Sequence, residues 1–221
     1  MIHIRNLSKV FRSGEQVFDI FSDLNLSVKN GECIALVGPS GSGKTTILNM
    51  ISGIYRDDIE GEILVDGKNI LTLTSDEMTL FRGRHISYIF QNFQLLENLT
   101  VAENIDFIIE LNGLERNFST DEILKIVGLS HKKDVYAFHL SGEKQRVAIG
   151  RAFVGKTKIL LADEPTGALD EANKENIMNL MMELHEKTKN TILIITHDPE
   201  VAKKADTSYT LSGKKLVEVA R

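Results

Sequence analysis

Residues 33–46 read CIALVGPSGSGKTT: an apolar run of strand length, a glycine-rich turn, then Lys-Thr-Thr. Four residues separate Gly38 from Gly43, and Lys44 and Thr45 follow at once, which is the spacing of a phosphate-binding loop. Glycines let such a turn curl so that successive N–H groups face one anion, and the helix opened by TTILNMIS adds the positive end of its dipole. On this reading Gly38, Ser40, Gly41, Ser42 and Gly43 form the cradle and Lys44 reaches the β- and γ-phosphates. Thr45 offers its hydroxyl to Mg²⁺, and Thr46 completes the loop.

A strand, a loop and a helix in that order open an α/β sheet, and the rest of the chain supplies more strands of the same kind. ISYIFQ, KILLAD and TILIIT are short runs rich in Ile, Leu and Val, as expected of strands covered on both faces. Upstream, IHIRNLSKVF, VFDIFSDLNLSV and GEILVDGKNI alternate like half-buried strands, and Asp66-Gly67 is a hairpin signal. TVAENIDFIIELNG begins with Thr100 three residues before Glu103 and stops at Gly113, a capped helix. STDEILKIVG repeats the device from Ser119 and Glu122 to Gly128. A helical insert over about residues 100–140 is therefore expected to interrupt a core built from about 1–99 and 141–221. Neither a low-complexity linker nor an internal repeat divides the chain into independent domains.

Pro39, Pro165 and Pro199 each lie just beyond an apolar strand, and open α/β sheets bind ligands outside the carboxyl ends of their strands. The other strand ends carry matching chemistry. KILLADE places Asp163 to hold Mg²⁺ through water and Glu164 to orient or deprotonate an attacking water. Gln91 ends the ISYIFQ run, where its amide meets both metal and water, and His197 ends TILIIT. Taken singly, a glutamine or a histidine after a strand is an ordinary loop or structural residue. Four strand ends that together supply a phosphate cradle, a metal ligand, an acid and two polar sensors form the inventory of phosphoryl transfer to water.

Composition narrows the alternatives. At 221 residues the chain is one large domain, or a domain with a lobe, with room for a core. A net charge of −5 with scattered lysines and arginines leaves no basic stripe, so no nucleic-acid partner is expected. The single cysteine, Cys33, reads as a buried strand thiol rather than half of a disulfide. MIHIRNLSKVF lacks the apolar centre of a signal peptide, and no run approaches the roughly 20 apolar residues of a membrane span, so a cytosolic chain is expected.

These tracts resemble those of the ATP-binding cassette (ABC) ATPases over nearly the whole chain. GPSGSGKTT is similar to their Walker A loop, ILLADE to the Walker B strand, Gln91 to the Q-loop glutamine and His197 to the switch histidine. Ala168, Leu169 and Asp170 resemble the D-loop, and Phe11 stands where the family stacks an aromatic ring on adenine. The resemblance implies an α/β P-loop NTPase (RecA-like) core with an N-terminal antiparallel β subdomain and a helical ABC subdomain. It also implies ATP and Mg²⁺, a head-to-tail dimer of the chain, an integral membrane permease as partner, and a peripheral place on the inner face of the cytoplasmic membrane. FQNFQLLENLTVAENI and LADEPTGALD are most similar to the subgroup serving lipoprotein release and macrolide export, with cell-division ATPases close by. A transport ATPase and a regulatory cassette signalling through a membrane partner thus both fit. A non-transport ABC protein would carry two cassettes or a long coiled coil, and neither is present in the sequence.

One tract departs from the family. Its signature loop, which closes over ATP held by the partner subunit, reads Leu-Ser-Gly-Gly before Gln or Glu; here Leu140-Ser141-Gly142 runs directly into Glu143. The following KQRVAIGRA still matches the family helix, so one residue is absent from the loop or the first turn. Each residue of shift on a helix is about 1.5 Å of rise and roughly 100° of rotation. Either Ser141 and Gly142 keep their places and still face the γ-phosphate, or the loop slides and Leu140 takes the place of the serine. The first alignment predicts ATP binding with reduced hydrolysis; the second predicts the loss of a phosphate donor.

Overall fold

The computed structural model describes residues 1–14, 16–167 and 169–219. The chain divides into two compact units, Met1–Arg82 with Thr191–Arg221, and Gly83–Asn190.

In the first unit, β1 (Ile2–Ser13) pairs antiparallel with β2 (Gln16–Val28) and with β4 (Ile59–Val65), which in turn pairs with β5 (Lys68–Asn69). The predicted alternation is seen directly: Ile2 and Ile4 are buried while His3 and Arg5 are not. A bulge at Asn6, whose φ is 48°, breaks the β1–β4 register, and Gly61 is what admits it. A Cβ on Gly61 would stand 2.6 Å from the carbonyl oxygens of Arg5 and Asn6. The Asp66-Gly67 turn takes positive φ at both residues, 51° and 79°, the geometry that closes a two-residue hairpin.

The second sheet of this unit has the order β10 (Lys215–Val219), β9 (Thr207–Ser212), β3 (Cys33–Val37), β8 (Thr191–Thr196). β3 runs parallel to both neighbours and is buried along with β8, hence the unbroken apolar character of both segments. Helices α1 (Lys44–Ile51) and α7 (Pro199–Lys203) follow β3 and β8. The sequence reading did not include the β9–β10 hairpin, because its residues are part-exposed and carry no continuous apolar run. Nor did it include α2 (Ser75–His85), which buries only Met78 and Phe81 in eleven residues and so has no apolar stripe.

In the second unit β6 (Ile86–Ile89) and β7 (Ile159–Asp163) pair in parallel. Around them are α3 (Val101–Asn112), α4 (Thr120–Ile126), α5 (Lys144–Val154) and α6 (Glu171–Thr188). Both expected capping boxes form: the Thr100 and Ser119 hydroxyls accept from the N–H groups of Glu103 and Glu122, whose carboxylates return to the cap N–H groups. Such caps are worth about 1 kcal/mol each. α3 ends on Gly113 in left-handed backbone as read, whereas α4 stops at Ile126, two residues before Gly128. α5 is enclosed on most sides, with Val147, Ala148, Ile149 and Phe153 fully buried.

Candidate functional site

The phosphate-loop residues lie in the first unit. α1 begins at a Gly43 N-cap with φ 102°, and the glycine, having no side chain, makes no cap bond to the first-turn N–H groups. Glycine is required there twice over, since a Cβ would meet the Phe21 ring at 3.0 Å in a backbone conformation side chains avoid. Lys44 is 5 % exposed, and its ammonium donates to the carbonyl oxygens of Gly38 and Pro39, each at 2.8 Å, with the Ser42 hydroxyl at 3.4 Å. Ser40, Gly41 and Thr45 are exposed, and Ser42, Gly43 and Thr46 are half-buried. The chain therefore offers an N–H-rich curl with one cation clasped at its centre, and these residues fit a polyphosphate.

His197 belongs to the same sheet edge. The β3–β8 register pairs Val37 with Thr196, so Gly38 and His197 leave adjacent parallel strands side by side. His197 is exposed beside a cleft of about 510 Å³ lined also by Val37, Pro199, Ala202 and Ser208. Phe11 is half-buried on β1, edge-on to Tyr55 at 5.7 Å, with the Lys9 ammonium 4.6 Å from its ring centre. Lys9 is itself buried and donates to the Asp57 carbonyl, which fixes the cation under the ring.

The acidic residues lie in the second unit. The β6–β7 register pairs Ile89 with Ala162, which brings Gln91 and the Asp163-Glu164 pair off the same edge. Asp163 is buried at 9 % exposure. Glu164 is in left-handed backbone, φ 45°, a conformation costing a non-glycine residue roughly 1–2 kcal/mol. That twist turns its carboxylate to within 3.5 Å of the Gln91 amide nitrogen, so the two residues expected to handle water are together. Gly167 adjoins them: its N–H donates to the Glu164 carbonyl at 3.1 Å, and a Cβ there would lie 3.1 Å from Glu164 Oε2. Within this unit Asp163 and Gln91 offer one carboxylate and one amide. Among the described residues no cluster of three His, Cys, Asp or Glu side chains forms. One carboxylate with one amide on the same strand edge fits Mg²⁺, which keeps waters and takes phosphate oxygens for most of its shell.

A family profile described as ABC transporter matches residues 21–167. The chain belongs to the ABC transporter ATPase family. It is 40 % identical to the uncharacterized ABC transporter ATP-binding protein YvrO of Bacillus subtilis, over 98 % of this chain and 96 % of that one. It is 41 % identical to the methionine import ATP-binding protein MetN of Photobacterium profundum, over 99 % of this chain. Of that relative it spans 64 % of the length. The solved dimeric ATP-binding cassette MJ0796, in a post-hydrolysis state bound to ADP and Pi, superposes with a TM-score of 0.88 at 34 % identity. The superposition covers 99 % of this chain and 98 % of that one. The fold is thus the P-loop NTPase fold of ABC cassettes.

In this ABC ATPase the shortened signature loop has a definite form. Leu140 is buried at 4 % exposure, while Ser141 and Gly142 are exposed and α5 starts two residues after the glycine. Leu140 is thus turned inward and Ser141 is presented to solvent. Glu143, which precedes α5, forms an ion pair with Lys132, and that partner holds its carboxyl below the usual carboxylate range. Asp170 caps α6, accepting from the Asn173 N–H at 2.9 Å and its side-chain amide at 3.1 Å. Of the other D-loop residues, Ala168 lies outside the described residues.

One residue the sequence reading did not single out is Arg151, two turns along α5 from Lys144. Its guanidinium donates to the carbonyl oxygens of Phe93 and Gln94, each at 2.7 Å. Both residues are in left-handed backbone, φ 60° and 51°, and at roughly 1–2 kcal/mol apiece such a turn needs an outside hold.

Proposed function

We propose that the chain binds ATP with Mg²⁺ and hydrolyses it as the motor subunit of an ABC transporter, working as a head-to-tail pair of copies beneath a separate membrane permease. The observation that carries this reading is the Lys44 ammonium clasped by the Gly38 and Pro39 carbonyls at an α1 terminus without a side-chain cap. Those carbonyl bonds are exchangeable for bonds to β- and γ-phosphate oxygens, which are stronger because both partners are charged. Asp163 and Thr45 are the residues proposed to hold Mg²⁺, which would supply neutralisation of phosphate charge. Glu164 takes the proton of the attacking water, Gln91 orients that water, His197 senses the γ-phosphate, and Phe11 stacks on adenine. Ser141 and Gly142 act across the pair, on the nucleotide of the other copy, and Asp170 belongs to the same contact.

The cargo is proposed from the FQNFQLLENLTVAENI and LADEPTGALD tracts: a lipoprotein, lipid, peptide or macrolide-type molecule, with the permease making the substrate contacts. Relatives named for methionine import make that amino acid the competing cargo. No helix among the described residues is long and apolar enough to cross a membrane, so the permease supplies the proposed site on the inner face of the cytoplasmic membrane. The missing signature residue favours a second reading, a regulatory cassette of the cell-division type with slow hydrolysis.

The test is magnesium-dependent ATP binding by the purified chain, followed by phosphate release. Binding abolished by Lys44→Ala and retained in Glu164→Gln supports the motor reading. No affinity for ATP in the unsubstituted chain defeats it, and binding without phosphate release selects the regulatory one.

A further inference from the structure

Gln91 is the last residue before a turn that the chain does not favour on its own. Phe93 and Gln94 are consecutive left-handed residues with side chains, and their own N–H groups bond locally: Phe93 N–H to the Phe90 carbonyl at 3.0 Å and Gln94 N–H to the Asn92 carbonyl at 2.6 Å. Two groups of α5 reach the segment from outside. Lys144 pairs with Glu97 at 3.2 Å, but the Glu97 side chain is 67 % exposed and such pairs hold little. Arg151 instead bonds both strained carbonyls, with a planar guanidinium whose two nitrogens match the spacing of consecutive carbonyl oxygens. Its own position is set by α5, where the neighbouring Gly150 packs against Ile105 of α3.

We propose that Arg151 is a positioning residue for the ATPase reaction: by clamping the Phe93 and Gln94 carbonyls it holds the turn that aims Gln91 at Glu164. The same bonds tie that turn to the helix that follows Ser141 and Gly142, so the water-orienting amide and the signature loop share one support. This rests on the motor reading given above, and its test has an arm that does not.

In Arg151→Met, amide hydrogen exchange at Phe93 and Gln94 is expected to rise about tenfold or more, while β6 and β7 keep their protection. In single-turnover hydrolysis the rate is expected to fall on the order of tenfold, with ATP affinity changed less than about twofold, because Lys44 and its loop are untouched. Placed on Gln91→Ala, the same substitution is expected to add less than about twofold, since a residue that acts through Gln91 has nothing left to act on. Arg151→Lys, whose ammonium serves one carbonyl well, should fall between the two, and it decides the matter if Arg151→Met does not fold. Unchanged exchange at the turn, or losses that multiply in the double variant, would overturn the proposal. A chain that hydrolyses no ATP defeats the motor reading, while the exchange measurement still decides whether Arg151 holds the turn.

Discussion

Inserting one glycine between Gly142 and Glu143 should raise the turnover of this cassette, and the structure decides where the added residue goes. Two anchors bracket the loop: Leu140, 4 % exposed, and Glu143, held by Lys132. Between them stand only Ser141 and Gly142. An added residue lengthens the path by at most about 3.6 Å, and it can go into the helix or into the loop. Entry into the helix would turn α5 by roughly 100°, breaking the Lys132–Glu143 and Lys144–Glu97 pairs and withdrawing Arg151 from its carbonyls. Entry into the loop breaks none of these, so the extra residue bulges outward and adds one exposed N–H beside Ser141. Growth of a two-residue loop to three costs about 0.4 kcal/mol of closure entropy, a melting shift of about 1 °C in a chain of this size. A missing oxyanion-type donor costs about 10²–10³ in rate, so recovery of even part of its geometry should raise turnover roughly tenfold. The assay is phosphate release at saturating ATP and Mg²⁺, with melting and ATP affinity measured on the same preparation. Unchanged or lower turnover, with fold and affinity intact, would refute the premise that the short loop limits the reaction.

Gly167→Ala places a Cβ 3.1 Å from the Glu164 carboxylate in a turn that needs no positive φ, so hydrolysis should fall about tenfold with little change in ATP affinity or melting. Glu164→Gln removes the proton acceptor itself and should cost on the order of 10²–10⁴ in the same assay. Burial pushes the Cys33 thiol up to about 12 from 9.0, so it should resist alkylation in the native chain. Below pH 9 the thiol is protonated in both folded and unfolded chains and its contribution is constant; above it only the unfolded chain ionises. Stability should therefore drop by up to about 1.4 kcal/mol per pH unit towards pH 12, a slope that Cys33→Ala removes when the two chains are compared by denaturant unfolding. Thr100→Ala deletes the hydroxyl that caps α3 and should lower unfolding free energy by about 1 kcal/mol without altering ATP affinity.

The parts of this fold that were readable from sequence are those where chemistry constrains neighbours in the chain. A phosphate cradle needs glycines beside a lysine, a capping box needs Thr100 and Glu103 three apart, and a two-sided strand needs unbroken Ile, Leu and Val. The hairpin β9–β10 and helix α2 escaped because their burial is partial and leaves no period. The supports of the site escaped for another reason: they join residues distant in sequence. Arg151 and Phe93 are 58 residues apart, and nothing in either local pattern announces the other. The signature loop shows the same limit at short range. Two alignments of HLSGEKQR differ by one residue, and composition does not separate them, because the same residues serve both: Ser141 keeps its place in one, and Leu140 takes that place in the other. The exposure of each residue carries a different cost of solvent. A leucine presented to water at the loop tip would forgo roughly 1.5–3 kcal/mol of burial, whereas a serine there loses nothing. With Leu140 inward the chain avoids that cost and still presents Ser141, so the glycine insertion tests the length of the loop rather than the identity of the group at its tip.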